Sequence, residues 1–327
     1  MTLRTSTNIV LIVTLICAVA LAFGGGRVRK TKVNGVEWHD SYQDALEQSR
    51  ATGKPVLLLS MFGKLDEETP CANARTLRAT LFKDPEFKKL ASEDVVLAWE
   101  MVRAVPKVEI DLGDGKKIKR TVRGNAVMYL CNSNGNVVDA YPGVYTPSDF
   151  MPMIREAIPL AKMSDAEAIA WHEARAENAV RLATLRTTMS KVALEGPILN
   201  AMGARPISGV KSAASSTDPK VQRFERVAAT VRDLSLTPMA SDEVAIAVTN
   251  RGIEGRTPEE LGMEILMRDS QNNVNQMRSV IHLWLASEKE LPSPAKARDT
   301  VLERILKIPY KDPYFGLRDI IAPGTPF

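Results

Sequence analysis

The chain is poor in the residues that usually carry chemistry, with three cysteines and three histidines in 327 positions and aromatics at only 6%. One cysteine, Cys17, lies in an N-terminal apolar run. That leaves Cys71 and Cys131, enough for one pair but too few for a disulfide scaffold. His39, His172 and His282 are far apart, each near a tryptophan, and no spacing among them suggests a metal site or defines a cysteine–histidine dyad. They are expected to be structural, and no cofactor or metal is expected. Walker-type, dinucleotide-binding and Ser–His–Asp signatures do not occur. The acidic runs "DEE" (66–68) and "EE" (259–260) look like helix-start charges rather than paired catalytic acids.

Charge of one sign is also scarce. The net charge of +4 does not by itself point to nucleic acid. Basic clusters stand at "RVRKTK" (27–32) and "KKIKR" (116–120) without interleaved aromatics. They read as a solvated face or a membrane-proximal anchor, and no nucleic-acid partner is expected.

What is present is an ordinary globular composition, 45% hydrophobic and 25% charged, long enough for about two domains. Arg4 precedes fifteen uncharged residues, "IVLIVTLICAVALAF" (9–23), and three glycines follow. That describes a signal peptide or membrane anchor over residues 1–26, with Ala20 and Ala22 fitting a cleavage site near Ala22. The run is short for a full span. Ile16 and Leu15 stand where a lipobox before Cys17 needs small residues. Arg27, Arg29, Lys30 and Lys32 outnumber the charge before the run, which opposes export. The balance favours an exported, periplasmic or extracytoplasmic protein, with residues 9–23 either cleaved off or holding it in the inner membrane.

Between residues 33 and 160 strands alternate with helices. "SYQDALEQSRATG" (41–53) has Tyr42, Ala45, Leu46 and Ser49 on one helical face and ends at Gly53. "KPVLLLSMF" (54–62) and "VVLAWEMV" (95–102) read as buried strands. Asp114-Gly115 and Asn134-Gly135 mark hairpin turns, in 107–122 and between "AVMYLCN" and "NVVDAYPG". "TPSDFMPMIREAI" (146–158) closes the unit as a helix. The expected fold is an α/β sandwich, a central mixed sheet flanked by helices.

From 163 to 327 the strands give way to an all-helical C-terminal region. Ser164 and Glu167 form a capping box at the head of a helix expected to reach about Leu194. A Gly-, Ser- and Pro-rich loop follows (204–219), then helices over 219–234, 241–250, 257–268, 273–287 and 294–307, and a proline-punctuated arm. "FKDPEF" (82–87) and "YKDPYF" (310–315) look alike, but no internal repeat surrounds them.

Trp38, "ALEQSRATGKPVLLL" (45–59), "CANARTLRATLFKDPEF" (71–87) and "VRGNAVMYLCNSNGNVVDAYPGVYTPSDFMPMI" (122–154) together resemble the thioredoxin-like superfamily, in particular its exported branch. The resemblance covers about residues 33–160. It implies that 71–87 is the active-site helix and that the paired cysteines fall on Cys71-Ala72-Asn73-Ala74. The first thiol is kept and the resolving one is alanine. It also implies a cis-proline where this chain has Ala126, and a cis bond before alanine costs about 2.5–4 kcal/mol. The loop before Cys71 is longer than the resemblance implies.

Thr69 as N-cap and Pro70 as first helical residue would put Cys71 in the first turn, where unpaired amides favour a thiolate and Arg75 would stabilise it. Asp66, Glu67 and Glu68 push the other way. Cys131 reads as a buried core residue. The expectation is a degenerate domain that binds a protein partner, in envelope assembly or quality control, without dithiol exchange. The alternative is a monothiol oxidoreductase or peroxidase-like enzyme using Cys71, with an outside thiol to resolve it. A third reading gives the function to the helical half.

Overall fold

The computed structural model describes residues 28–176, 217–232 and 258–318. The apolar run 9–23, the 204–216 part of the polar loop, the expected helix 241–250 and the continuation of the 165–176 helix towards Leu194 lie outside them.

The chain opens with a hairpin, β1 (Lys30–Val33) and β2 (Val36–His39), starting three residues before the expected boundary. Helix α1 (Tyr42–Thr52) is capped by Ser41, whose side chain accepts from the Asp44 N–H. It ends at Gly53 with φ +71°, a left-handed conformation that glycine adopts without a Cβ penalty. Strand β3 (Val56–Phe62) is buried throughout, as its continuous apolar run requires. Helix α2 (Ala72–Ala79) breaks at Thr80 into a single 3-10 turn, Leu81–Lys83, and restarts as α3 (Pro85–Glu93). The expected single helix over 71–87 is therefore two. Asp84 is the reason, since its carboxylate accepts from the Glu86 and Phe87 N–H groups and Pro85 sits at the first helical position.

Strand β4 (Val96–Arg103) is buried only over its first half. Strands β5 (Lys107–Asp111) and β6 (Lys117–Thr121) pair only with each other. Strands β7 (Ala126–Cys131) and β8 (Val137–Pro142) form the second expected hairpin, and helix α4 (Pro147–Ala157) follows. The main sheet has six strands in the order β1-β2-β4-β3-β7-β8. β2, β4 and β3 run parallel, whereas β1, β7 and β8 pair antiparallel with their neighbours. This is the mixed sheet expected from the alternating pattern.

An aromatic file crosses one side of this core: Trp38 meets Phe82 at 4.9 Å, Phe82 meets Phe87 at 5.1 Å, and Phe87 meets Phe150 at 6.2 Å. The "FKDPEF" stretch thus supplies two core rings and a helix cap.

Beyond residue 163 all described elements are helical. α5 covers described residues 165–176 and begins with the expected capping box: Glu167 N–H donates to Ser164 Oγ at 3.3 Å and Ser164 N–H to Glu167 Oε2 at 2.8 Å. α6 is Pro219–Arg232 and α7 is Pro258–Asn272, which a π-turn (Asn273–Met277) joins to α8 (Arg278–Ser287). α9 (Pro294–Asp299) continues as a π-helical turn to Ile305, and the arm follows. α8 packs on β8 and α6 packs on α8, and their apolar residues share one core with the sheet. No helix among the described residues is long and apolar enough to cross a membrane.

Candidate functional site

Cys71 follows the central strand β3 at the end of the sheet where β7 begins. Its N–H donates to the Phe62 carbonyl at 3.0 Å. That bond keeps the chain extended through Cys71, so the helix starts one residue later and Cys71 is the N-cap itself, with ψ 154°. The expected cap at Thr69 and first turn at Pro70 are not formed. The thiol donates to the Asn125 carbonyl at 3.3 Å. Asn125 is fixed in turn, because its Oδ1 accepts from Asn73 Nδ2 at 2.6 Å and from the Ala126 N–H at 2.8 Å. Ala126 thus starts β7 directly opposite the cysteine, with a trans peptide bond before it.

Several segments meet at this corner. Arg78 reaches from α2 to the 64–70 loop, donating to the Leu65 and Glu67 carbonyls at 2.9 and 2.8 Å, which folds the long loop down. Gly124, at φ +90°, lies so close that a Cβ there would stand 3.0 Å from Cys71 Cβ. On the far side of Phe62 sits Phe315 of the C-terminal arm, edge-on at 5.1 Å. The arm is held by Arg103, which donates to the carbonyls of Tyr310, Asp312 and Pro313. Cys71 is 0% exposed.

Burial is the largest influence on the thiol and raises its pKa above the ordinary value; backbone groups of Ala74 and Phe62, then the charge of Arg75, pull back less. Arg75, expected to stabilise a thiolate, directs a guanidinium N–H to Thr121 Oγ1 at 3.4 Å. A carbonyl oxygen facing the sulfur favours the protonated form for a further reason, since it can accept from S–H but only repels S⁻. Cys131 is buried in β7 as expected, and burial pushes its thiol up to about 12. Both cysteines are free.

The second constellation is one that the sequence did not reveal. Asp139 on β8 and Arg278 at the head of α8 are both buried, joined by two hydrogen bonds of 2.7 and 2.8 Å. Tyr141 donates to the same carboxylate at 2.8 Å, and its ring lies under the guanidinium at 4.5 Å. His172 and His282, read from sequence as scattered, meet with their Nδ1 atoms 2.8 Å apart. His172 Nε2 lies 2.8 Å from the Val138 carbonyl and must donate to it. His172 Nδ1 then accepts from His282 Nδ1–H, leaving His282 Nε2 as an acceptor facing Arg278 at 3.5 Å. Every ring nitrogen has a role only while both rings are neutral. Burial lowers the pKa of both histidines, and for His282 the Arg278 charge adds to it. Burial alone would raise the Asp139 pKa, but the Arg278 charge and hydrogen bonds hold it well below the carboxylate range.

This cluster does structural work on an edge strand. Val137 N–H donates to the Pro292 carbonyl, the Val138 carbonyl accepts from His172, and the Ala140 carbonyl accepts from Arg278. The helical region therefore satisfies the open edge of β8, which would otherwise offer unpaired backbone groups to another chain. His39 stands apart, its Nε2 at 2.6 Å from Gln48 Oε1. Among the described residues no cluster of three or more His, Cys, Asp or Glu side chains could hold a metal ion. Only a histidine's position one or two turns into a helix (172) or an arginine in an apolar helix (278) hinted at burial. The signal that pairs them is tertiary.

Neither the protein-family models nor the curated proteins give a match to this chain.

Proposed function

We propose that the α/β region is a thioredoxin-like domain that has lost dithiol exchange and serves as a protein-binding scaffold, exported or tethered by residues 9–23, in envelope assembly or quality control. The observation that carries this reading is the state of Cys71, a buried thiol donating to the Asn125 carbonyl and closed against Gly124. The mixed sheet and the Cys71 thiol's bond to the carbonyl that precedes Ala126 support the resemblance. Ala74 lies buried where a resolving thiol would stand, so a mixed disulfide at Cys71 would have no internal thiol to release it. The monothiol alternative needs the sulfur to reach a substrate, and burial argues against it.

The test is thiol chemistry on the intact protein. The chain is expected neither to reduce insulin disulfides nor to form a mixed disulfide at Cys71 with oxidised glutathione under native conditions. Turnover that Cys71→Ser abolishes would overturn the scaffold reading and establish the monothiol enzyme.

A further inference from the structure

The strand directions bring several separate features to one end of the sheet. β3 and β4 run parallel and finish there at Phe62 and Arg103, and β7 starts there at Ala126. β2 is parallel to β4, and β1 is antiparallel to β2 with Lys30 beside His39, so the chain preceding β1 leaves towards the same end. The β5–β6 hairpin departs from this end and returns to it, and Arg103 fixes the C-terminal arm there.

Exposed apolar side chains gather with these segments: Val28 before β1, Met101 near the end of β4, Ile110 and Leu112 on the hairpin, and Tyr314 on the arm. The hairpin is two-faced. Val108, Ile110 and Leu112 alternate to one side, with Ile118 opposite Ile110. On the other side Glu109 is paired with Lys117 at 2.8 Å and Lys119 at 3.2 Å. A two-stranded ribbon with a bare apolar face is marginal alone in water and gains by lying on something.

Charge identifies what it lies on. The segments reaching this end (28–29, 63–70, 103–123 and 309–318) hold 11 of the 43 basic and 7 of the 39 acidic residues. The rest of the chain, with 32 basic and 32 acidic, is balanced. The chain preceding β1 leaves towards this positive end, and the fifteen-residue apolar stretch 9–23 precedes it in the sequence.

We propose that this end of the sheet is a membrane-docking face: the β5–β6 hairpin rests its Ile110–Leu112 side on an anionic lipid surface, beside the point where residues 9–23 meet the same bilayer. Basic residues near the surface are attracted by anionic headgroups while exposed apolar side chains enter the interface. The sheet then stands end-on to the membrane.

The full-length chain, reconstituted into vesicles of phosphatidylcholine alone or with about one third phosphatidylglycerol, tests this by hydrogen exchange over residues 107–121. Exchange should slow roughly tenfold in the anionic vesicles, and the protection should fall in about 0.5 M salt. Ile110→Ser combined with Leu112→Ser should remove it, while exchange of the β3 and β7 amides stays at the wild-type level and so reports an intact fold. Equal exchange in both vesicle types overturns the proposal. So does protection that persists in neutral vesicles or detergent, because that assigns the face to a protein contact.

Discussion

The Cys71 corner and the β8 edge are two places among the described residues where titratable groups are buried, and they treat them in opposite ways. At Cys71 a potential nucleophile is kept neutral by burial, with one carbonyl acceptor and Gly124 packed against it. At β8 full charges are buried, and each is paired: Asp139 with Arg278 and Tyr141, Arg278 with the Ala140 carbonyl, and two neutral histidines in series. Burial raises the pKa of the thiol at the first site, whereas at the second, removing one partner of a buried ion pair leaves the other uncompensated. The charged cluster at β8 lies where the α/β and helical regions are joined.

The largest effect should come from the edge. Arg278→Met leaves Asp139 buried and unpaired and is expected to cost about 3–5 kcal/mol in urea unfolding, whereas adding Asp139→Asn should recover more than half of that loss. Additive losses from the two substitutions would mean that the pair is not coupled.

Next is pH. The folded histidines resist protonation, and unfolded ones take up a proton near pH 6.5, so the unfolded state binds more protons below that value. Stability should fall as pH drops from about 7 towards 5, by at most about 1.4 kcal/mol per pH unit for each histidine. The Asp139 contribution, from a depressed pKa, is present above the unfolded carboxylate value and is lost only below about pH 4, which separates the two effects. His172→Gln with His282→Gln should flatten the higher window, as read by unfolding at stepped pH.

At the Cys71 corner the effects should be smaller. Gly124→Ala forces a Cβ to 3.0 Å from Cys71 Cβ at a positive φ and should cost about 1–3 kcal/mol in thermal or urea unfolding. Cys71→Ala removes one buried sulfur and should cost only about 1 kcal/mol, leaving any partner binding intact. A loss of binding without a loss of stability would return function to the thiol.

The parts of the fold governed by neighbours in sequence were legible there. Ser41 and Gly53 bound α1, Asn134-Gly135 turns β7 into β8, and the Ser164–Glu167 box opens α5, all through contacts within a few residues. The candidate site was legible by position only. Cys71 was found, but its cap was misplaced because a bond to Phe62 fixes the backbone there. The residues packed against the thiol, Gly124 and Asn125, are distant along the chain. The histidine pair was illegible for the same reason: residues 172 and 282 meet only because α5 and α8 both close on β8.

If Cys71 is inert because it is buried and protonated, site-resolved alkylation of the native protein across pH will show it. Cys71 should label only as fast as the protein unfolds, with no thiolate appearing below about pH 8.5, the ordinary thiol value. Rapid native labelling that titrates below that pH, while buried Cys131 stays unlabelled, would contradict it.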